Sequence, residues 1–354
     1  MGLTVSLLMV LVGIGMVTGS VDESKRIVEE SEYDAFIIQY NRDNIMEGGH
    51  VPDYVYDKAI SLRGVKDIDK IIDDYVGVRF GDEDIGVAMI GYDSKSDNLE
   101  PWEIIEGDKD DLKEDNVVIV DQLIKKYFQG IKVDDKLKSG EPEVSLKIKG
   151  MTQNNQRFGT PMIWVNFETA KNLLHVENES TYIGVKLKSG YSVSDLKDDL
   201  EILDDVIKVI SSEKMKEKIE DYILVEMGIA QSVGILAVMG FIVAMIVISI
   251  TLYQSVTDKL RELVSLKALG AKKNFINKII IGQTMSIVTV SFVLAALLAL
   301  ALAPYLSSVS TLAVNVNWLW ALFTYVTSLI LGIFCSLIPI RKVHKTDPAI
   351  IFRA

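Results

Sequence analysis

Apolar residues are gathered into three blocks along this chain, residues 1–21, 227–257 and 279–340, and none of the three contains a charged side chain. A membrane-spanning helix needs roughly 20 mostly apolar residues, so the first two blocks are long enough for one span each and the third for two. The third block divides where Pro304 and the polar run SSVSTLAVNVN (307–317) interrupt it. Trp318 and Trp320 then open a new apolar stretch, as aromatic residues do at a headgroup boundary. The pattern predicts four spans, at about 2–20, 228–254, 279–304 and 318–340.

Residues 22–226 have shorter periods. YDAFIIQY (33–40) reads as a strand, PDYVYDKAISLRG (52–64) as a helix closed by Gly64, and GVAMIGYD (86–93) as a buried strand. NVVIVDQLIKKYFQG places a strand at 117–120, followed by Asp121 as the N-cap of a helix that Gly130 ends. Val144, Leu146 and Ile148 alternate as in a half-buried strand. Two later segments pass from strand to helix, one capped by Asn166 and one by Ser192 with Asp195 three residues on. These units predict an α+β domain of at least two subdomains. Its polar, helix-prone flanks, 22–32 and 212–226, are expected to form helical stalk ends continuous with the first and second spans.

Charge orients the scheme. Residues 255–278 hold six Lys or Arg against two acids, and the tail 341–354 holds four against one. Residues 22–226 hold 27 basic and 46 acidic side chains, a net of −19. Short positive loops stay in the cytoplasm, so the 255–278 loop, the tail and the N-terminus are expected inside and the 22–226 domain outside the cell membrane. No Lys or Arg precedes the first span, and GMVTGSVDESK after it has no A-x-A-like site, so the first apolar block is expected to be retained as a span. The one cysteine, Cys335, lies in the last span and leaves no internal disulfide and no Cys/His zinc cluster.

Candidate chemistry is sparse. There is no G-x-x-x-x-G-K-[ST], H-E-x-x-H or G-x-S-x-G, and His50, His175 and His344 are scattered. The acid run GDKDDLKEDN (107–116) places Leu112 where an EF-hand needs its third ligand, and reads as a solvated loop. NES at 178–180 is a formal glycosylation sequon, relevant only to a secretory-pathway host. The spans carry none of the ionisable groups that ion-coupled pumps use. The chain is therefore expected to be non-catalytic, with no cofactor, metal or nucleic acid bound by its own residues.

The basic loop is the most informative stretch. In KLRELVSLKALGAKKNF (259–275), Leu260, Leu263 and Val264 share a helical face with Leu266 at its edge, and Gly270 supplies a stop. Such a helix can lie on anionic lipid or dock into a protein groove. The order Arg261, Glu262, Leu263, Lys267, Ala268, Leu269, Gly270, Ala271, Lys272, Lys273 resembles the cytoplasmic loop of the MacB/FtsX-type ABC transporter permeases. The ending PIRKVHKTDPAIIFRA resembles the same family in Pro339, Arg341, Asp347, Pro348, Ala349 and Arg353. The motifs are specific over 255–283 and 339–354, while the one-plus-three arrangement of spans around a large outer domain matches the family along the whole chain.

That resemblance implies transmembrane helix 1 at 1–21, an extracytoplasmic α+β domain at 22–226 and an FtsX-like transmembrane domain at 227–354. It also implies a separate ABC ATPase that holds ATP and Mg, and a second permease protomer, identical or not. Work on the outer side would be driven by mechanotransmission. The ATPase-coupling helix would comprise Leu260, Arg261, Glu262, Leu263, Val264, Leu266, Lys267 and Gly270, with a tail contact at Arg341, Asp347 and Pro348. LYQSVTDKLRELVSLKALGA also looks like the DevC-type exporters, which implies a periplasmic adaptor. Two other readings share parts of this pattern: an FtsX-like regulator of an outer partner such as a cell-wall hydrolase, and a receptor without an ATPase. The family's basic, amphipathic N-terminal segment is missing from this sequence.

Overall fold

A computed structural model describes residues 1–140, 142–200, 203, 205–309 and 314–346. The chain forms two compact units, Ser20–Met227 and the pair of segments Met1–Gly19 and Gly228–Ala354.

In the outer unit, helix α1 (Gly2–Glu29), which starts in the membrane unit, contributes its last turns. The strands are β1 (Ala35–Gln39), β2 (Val51–Pro52), β3 (Val65–Phe80), β4 (Glu83–Tyr92), β5 (Ile104–Glu106), β6 (Val117–Asp121), β7 (Lys136–Ser139), β8 (Val144–Thr152), β9 (Gln156–Arg157), β10 (Thr160–Asn166), β11 (Glu179–Ser180), β12 (Tyr182–Leu187) and β13 (Ile207–Ser211). Helices α2 (Asp53–Ile60), α3 (Phe167–Leu174), α4 (Val193–Asp199) and α5 (Ser212–Asp221) complete it. The main sheet runs β13-β1-β12-β3-β4-β10-β6-β8-β5, with β7 bridging β8 back to β3. Pairing is antiparallel except for β10 with β4 and β6 with β8.

The long strand β3 serves two layers. Its first half pairs with β12 from Val65 to Ile71, and its second half pairs with β4 from Ile72 to Phe80. Beyond that switch, β3, β4, β10, β6, β8 and β7 close a hydrogen-bonded ring whose interior holds Val78, Met89, Val118, Phe128, Leu146 and Ile163. Closure pairs each of those six strands on both sides and leaves only the short strands β5 and β9 as appendages at the edge. The other half is a four-stranded sheet on which α2 and α4 pack through Val55, Ala59 and Leu196, against Ala35, Ile183 and Val185.

Several local expectations are corrected. The 52–64 segment is helical only over Asp53–Ile60, and Gly64 does not stop it: a Cβ at Gly64 would lie 2.2 Å from the Tyr191 ring, so close packing accounts for the glycine. Asp121 caps a 3-10 turn, Gln122–Lys126, instead of a full helix, and Gly130 follows with φ +80°. Strand β3 is hidden in the sequence because Asp67, Asp69, Asp73 and Asp74 break its apolar alternation. The caps at Asn166 and Ser192 are present, the latter as a capping box with Asp195. After α5 the chain does not run straight on. A π-helical turn (Tyr222–Glu226) and Gly228 in the left-handed region at φ +69° precede the next helix.

The membrane unit adds α6 (Ile229–Asp258), α7 (Leu260–Ala268), α8 (Lys273–Val309) and α9 (Trp318–Lys345). Among the described residues, four of its helices are long and apolar enough to span a bilayer: α1, α6, α8 and α9. Pro304 does not end the third span. Helix α8 continues through it to Val309, as membrane helices tolerate when neighbouring groups serve the freed carbonyl. Leu7, Leu11, Ala244, Ile248, Val288 and Cys335 form a common core. Small residues let the helices close up: a Cβ at Gly240 would fall 2.6 Å from Val10, and one at Gly332 would fall 3.0 Å from Val288. The outward sides of α6, α8 and α9 expose Leu236, Ile246, Leu297, Phe323 and Phe334, apolar surface of the kind that lipid covers.

Candidate functional site

Helix α7 follows α6 after one residue, Lys259, and ends in a Schellman motif. The Ala271 amide donates to the Leu266 carbonyl at 3.0 Å and the Gly270 amide to that of Lys267 at 3.1 Å, with Gly270 at φ +93°. Its apolar face is turned onto the chain itself. Leu263 and Val264 are buried against Val256 of α6, Ile276 and Ile280 of α8, and Ile340 and Val343 of α9, and half-buried Leu260 packs on the same cluster. The sequence marked these side chains as a docking face, whereas the structure uses Leu263 and Val264 as the interior seam that seats the helix. Leu266 is half-buried, and Arg261, Glu262 and Gly270 are exposed.

What α7 presents outward is therefore Arg261, Glu262 and Ser265, followed by Leu269 (86% exposed), Lys272, Lys273 and Phe275 (53%). Leu269 and Phe275 flank the Gly270 turn as apolar knobs among cations. Neither stands out in the sequence, because the same residue types fill the spans on either side. Arg341 is exposed on the last turns of α9, and Asp347 and Pro348 lie outside the described residues.

Polar contacts bind the helix ends of this region together. The Lys267 ammonium donates to the carbonyls of His344 and Thr346, each at 3.0 Å. Lys342 donates to Thr257 Oγ1 at 2.9 Å and sits 3.8 Å from the centre of the Tyr253 ring. His344 Nε2 lies 2.8 Å from Asn277 Oδ1. No spacing rule shows these contacts in the sequence, since each joins residues more than 60 positions apart.

The outer unit holds three buried polar knots. Asp69 accepts from Tyr33 at 2.8 Å, Ser96 at 2.7 Å and Asn98 at 2.9 Å, and burial pushes its carboxyl above the usual range despite those donors. Arg157 forks onto Asp73 at 2.6 and 2.8 Å, where β3 changes partners. Burial works against its charge, but the Asp73 carboxylate outweighs that and holds it above its ordinary value. Asp121 accepts from the Leu123 and Asn155 amides, each at 2.8 Å, while Asn155 receives the Trp164 indole at 2.9 Å. Burial raises Asp121 to about 6. A shallow cleft beside the first knot is lined by Tyr56, Lys70, Tyr92, Asn166 and Phe167, and Lys70 is paired with Asp53 at 3.1 Å. Among the described residues no group of three His, Cys, Asp or Glu side chains is placed to hold a metal.

Two family models match the chain. The MacB-like periplasmic core domain matches residues 1–203, more than half of the chain, and the FtsX-like permease C-terminal domain matches residues 234–348. The chain belongs to the MacB/FtsX-type ABC transporter permease family. It is thus a multi-pass membrane protein with an α+β extracytoplasmic domain between its first and second spans. An uncharacterised ABC transporter permease of Mycobacterium tuberculosis, found in two strains, is 31% identical over 118 residues, 33% of this chain. The matched part spans a third of the length of those curated relatives. Among solved structures, the extracellular domain of the ABC-type transporter YknZ from Gram-positive bacteria is 14% identical at a TM-score of 0.37, over 50% of this permease and 98% of that chain. The periplasmic region of MacB from Actinobacillus actinomycetemcomitans is 13% identical at 0.42, over 55% and 96%.

Proposed function

We propose that this permease couples ATP hydrolysis by a separate ABC ATPase to export or extraction of a substrate on the outer side of the membrane, by mechanotransmission instead of passage through the spans. The observation that carries this reading is α7: a short cytoplasmic helix, seated on three membrane helices by Leu263 and Val264, with Arg261, Glu262, Leu269 and Phe275 left outward for a partner. The absence of charged residues from 227–257 and 279–340 supports work done outside the spans over a polar conduit within them. The family permits either an identical or a different second protomer, and the DevC-type likeness of 252–271 supports an adaptor as a further partner.

Affinity purification of the tagged full chain from native membranes tests this, with mass spectrometry of what accompanies it. The expected result is stoichiometric recovery of an ABC ATPase, lost in Arg261→Glu/Leu269→Asp. Recovery of the permease with no nucleotide-binding subunit would overturn the proposal. A bound ATPase whose deletion alters an outer hydrolase activity without accumulation of any substrate would shift the reading to a regulator.

A further inference from the structure

We infer that Lys267 latches the coupling helix to the last span, so that displacement of α7 is delivered to α9 through one ammonium group. The inference rests on the reading of α7 as the ATPase-coupled element and names the route by which its motion leaves the cytoplasmic face.

The last carbonyls of any helix lack intrahelical donors and need another source. At the end of α9 the Thr346 amide and hydroxyl both return to the Lys342 carbonyl, at 3.1 and 2.9 Å. The carbonyls of His344 and Thr346 instead receive the Lys267 ammonium, each at 3.0 Å. A cation at a helix C-terminus is also favoured by the helix dipole. Lys267 is half-buried and occupies the last turn of α7, one turn beyond the Leu263 and Val264 seam.

Two further contacts make the connection selective. Lys342 ties α9 to the end of α6 at Thr257 and Tyr253, and His344 ties it to Asn277 near the start of α8. Both hold α9 to its membrane neighbours and neither involves α7. Lys267 is thus the polar link from α7 to α9 among the hydrogen bonds described between these two helices. The apolar seam touches all three neighbouring helices and has no directional preference, whereas two charge-assisted hydrogen bonds fix α7 to one of them.

The chain carries its own probe of this motion. Cys335 lies on α9, nine positions before His344, which is about 14 Å along the helix. It is 6% exposed, with Sγ 3.6 Å from the Met245 carbonyl of α6. A shift of α9 against α6 changes access to that thiol. The experiment uses the full chain with its co-purified ATPase in proteoliposomes and measures the N-ethylmaleimide labelling rate of Cys335 with and without Mg-ATP. Wild type and Lys267→Arg are expected to show a nucleotide-dependent change of at least about threefold, as a buried thiol does when local opening shifts. Lys267→Met is expected to lose that change while keeping the nucleotide-free rate and the bound ATPase. Lys267→Gln, which keeps a polar head but no charge, gives the same reading should Lys267→Met fail to insert. A full nucleotide response in Lys267→Met, or none in wild type with the ATPase bound, overturns the latch. Failure of wild type to bind an ATPase overturns the parent proposal instead.

Discussion

At the scale of single residues, the buried acids of the outer domain separate by what surrounds them. Asp73 faces the Arg157 guanidinium, which forks onto both its oxygens, and Asp69 is held by three neutral donors. Asp121 accepts two backbone amides, which favour its charge, yet burial prevails and raises it from 3.8 to about 6. A carboxyl whose folded value lies above its unfolded one binds its proton more tightly in the folded state. Its contribution to stability is therefore fully present below about pH 4 and is lost as the pH rises through about 6. A shift of that size corresponds to about 3 kcal/mol. Asp121→Asn should flatten this part of the curve: between pH 4 and 6.5 the melting temperature of the outer domain is expected to fall less in the variant than in wild type. Parallel curves in a calorimetric titration would show that Asp121 is not the group responsible. The acids also mask the strand that carries them. A strand carrying four aspartates in eight positions looks like a loop, because periodicity rules count Asp as outward-facing. Two of the four, Asp69 and Asp73, point into the fold with partners supplied from residues far along the chain.

At the scale of elements, legibility follows how local the determining physics is. The caps at Asn166 and Ser192, the buried strand β4 and the long apolar helices depend on residues within a few positions, and the sequence displays them. The pairing of β7 with β8 is local, but the step that closes the ring, β7 onto β3, joins Val78 to Ser139 and Arg79 to Lys138, far apart along the chain, so nothing short-range announces the closure. Helix α7 falls between these cases. Its amphipathicity is local, but what its apolar face meets is not, and a docking face and an interior seam have the same pattern. The structure separates the two outcomes by substitution. Leu263→Asp places a charge in the cluster of Val256, Ile276, Ile280 and Val343, and is expected to cost several kcal/mol and lower the yield of folded permease. Glu262→Lys changes an exposed side chain and is expected to leave stability within about 0.5 kcal/mol of wild type, with yield unchanged, while weakening ATPase recovery. Normal folding of Leu263→Asp in detergent, read by fluorescence-detected size exclusion, would return that side chain to the surface.

At the scale of the whole molecule, the arrangement in the membrane rests on a contrast that no single residue carries. The connection at 255–278 has six basic and two acidic side chains, and the domain at 22–226 has 27 and 46. Basic residues within short loops resist translocation, whereas a folded domain of 200 residues crosses largely regardless of its charge, so the short loop decides the orientation. This fixes which face meets the cytoplasm and which meets the exterior, and with it the sense of the coupling proposed for α7. Because Cys335 is the only cysteine in the sequence, Cys335→Ala gives a thiol-free background, and the hydrogen bond it removes is the weak one from Sγ to the Met245 carbonyl. Ser189→Cys, in an exposed turn of the outer domain, is expected to react with a membrane-impermeant maleimide added to intact spheroplasts. Asn274→Cys, exposed at the start of α8, is expected to react only after permeabilisation. The reverse order of protection would place the basic loop outside, where no ATPase could reach α7, and would remove the basis for coupling altogether. Equal reactivity at both sites would instead mean that the chain inserts in both orientations, and that the six cations of the loop are too weak a signal to set it.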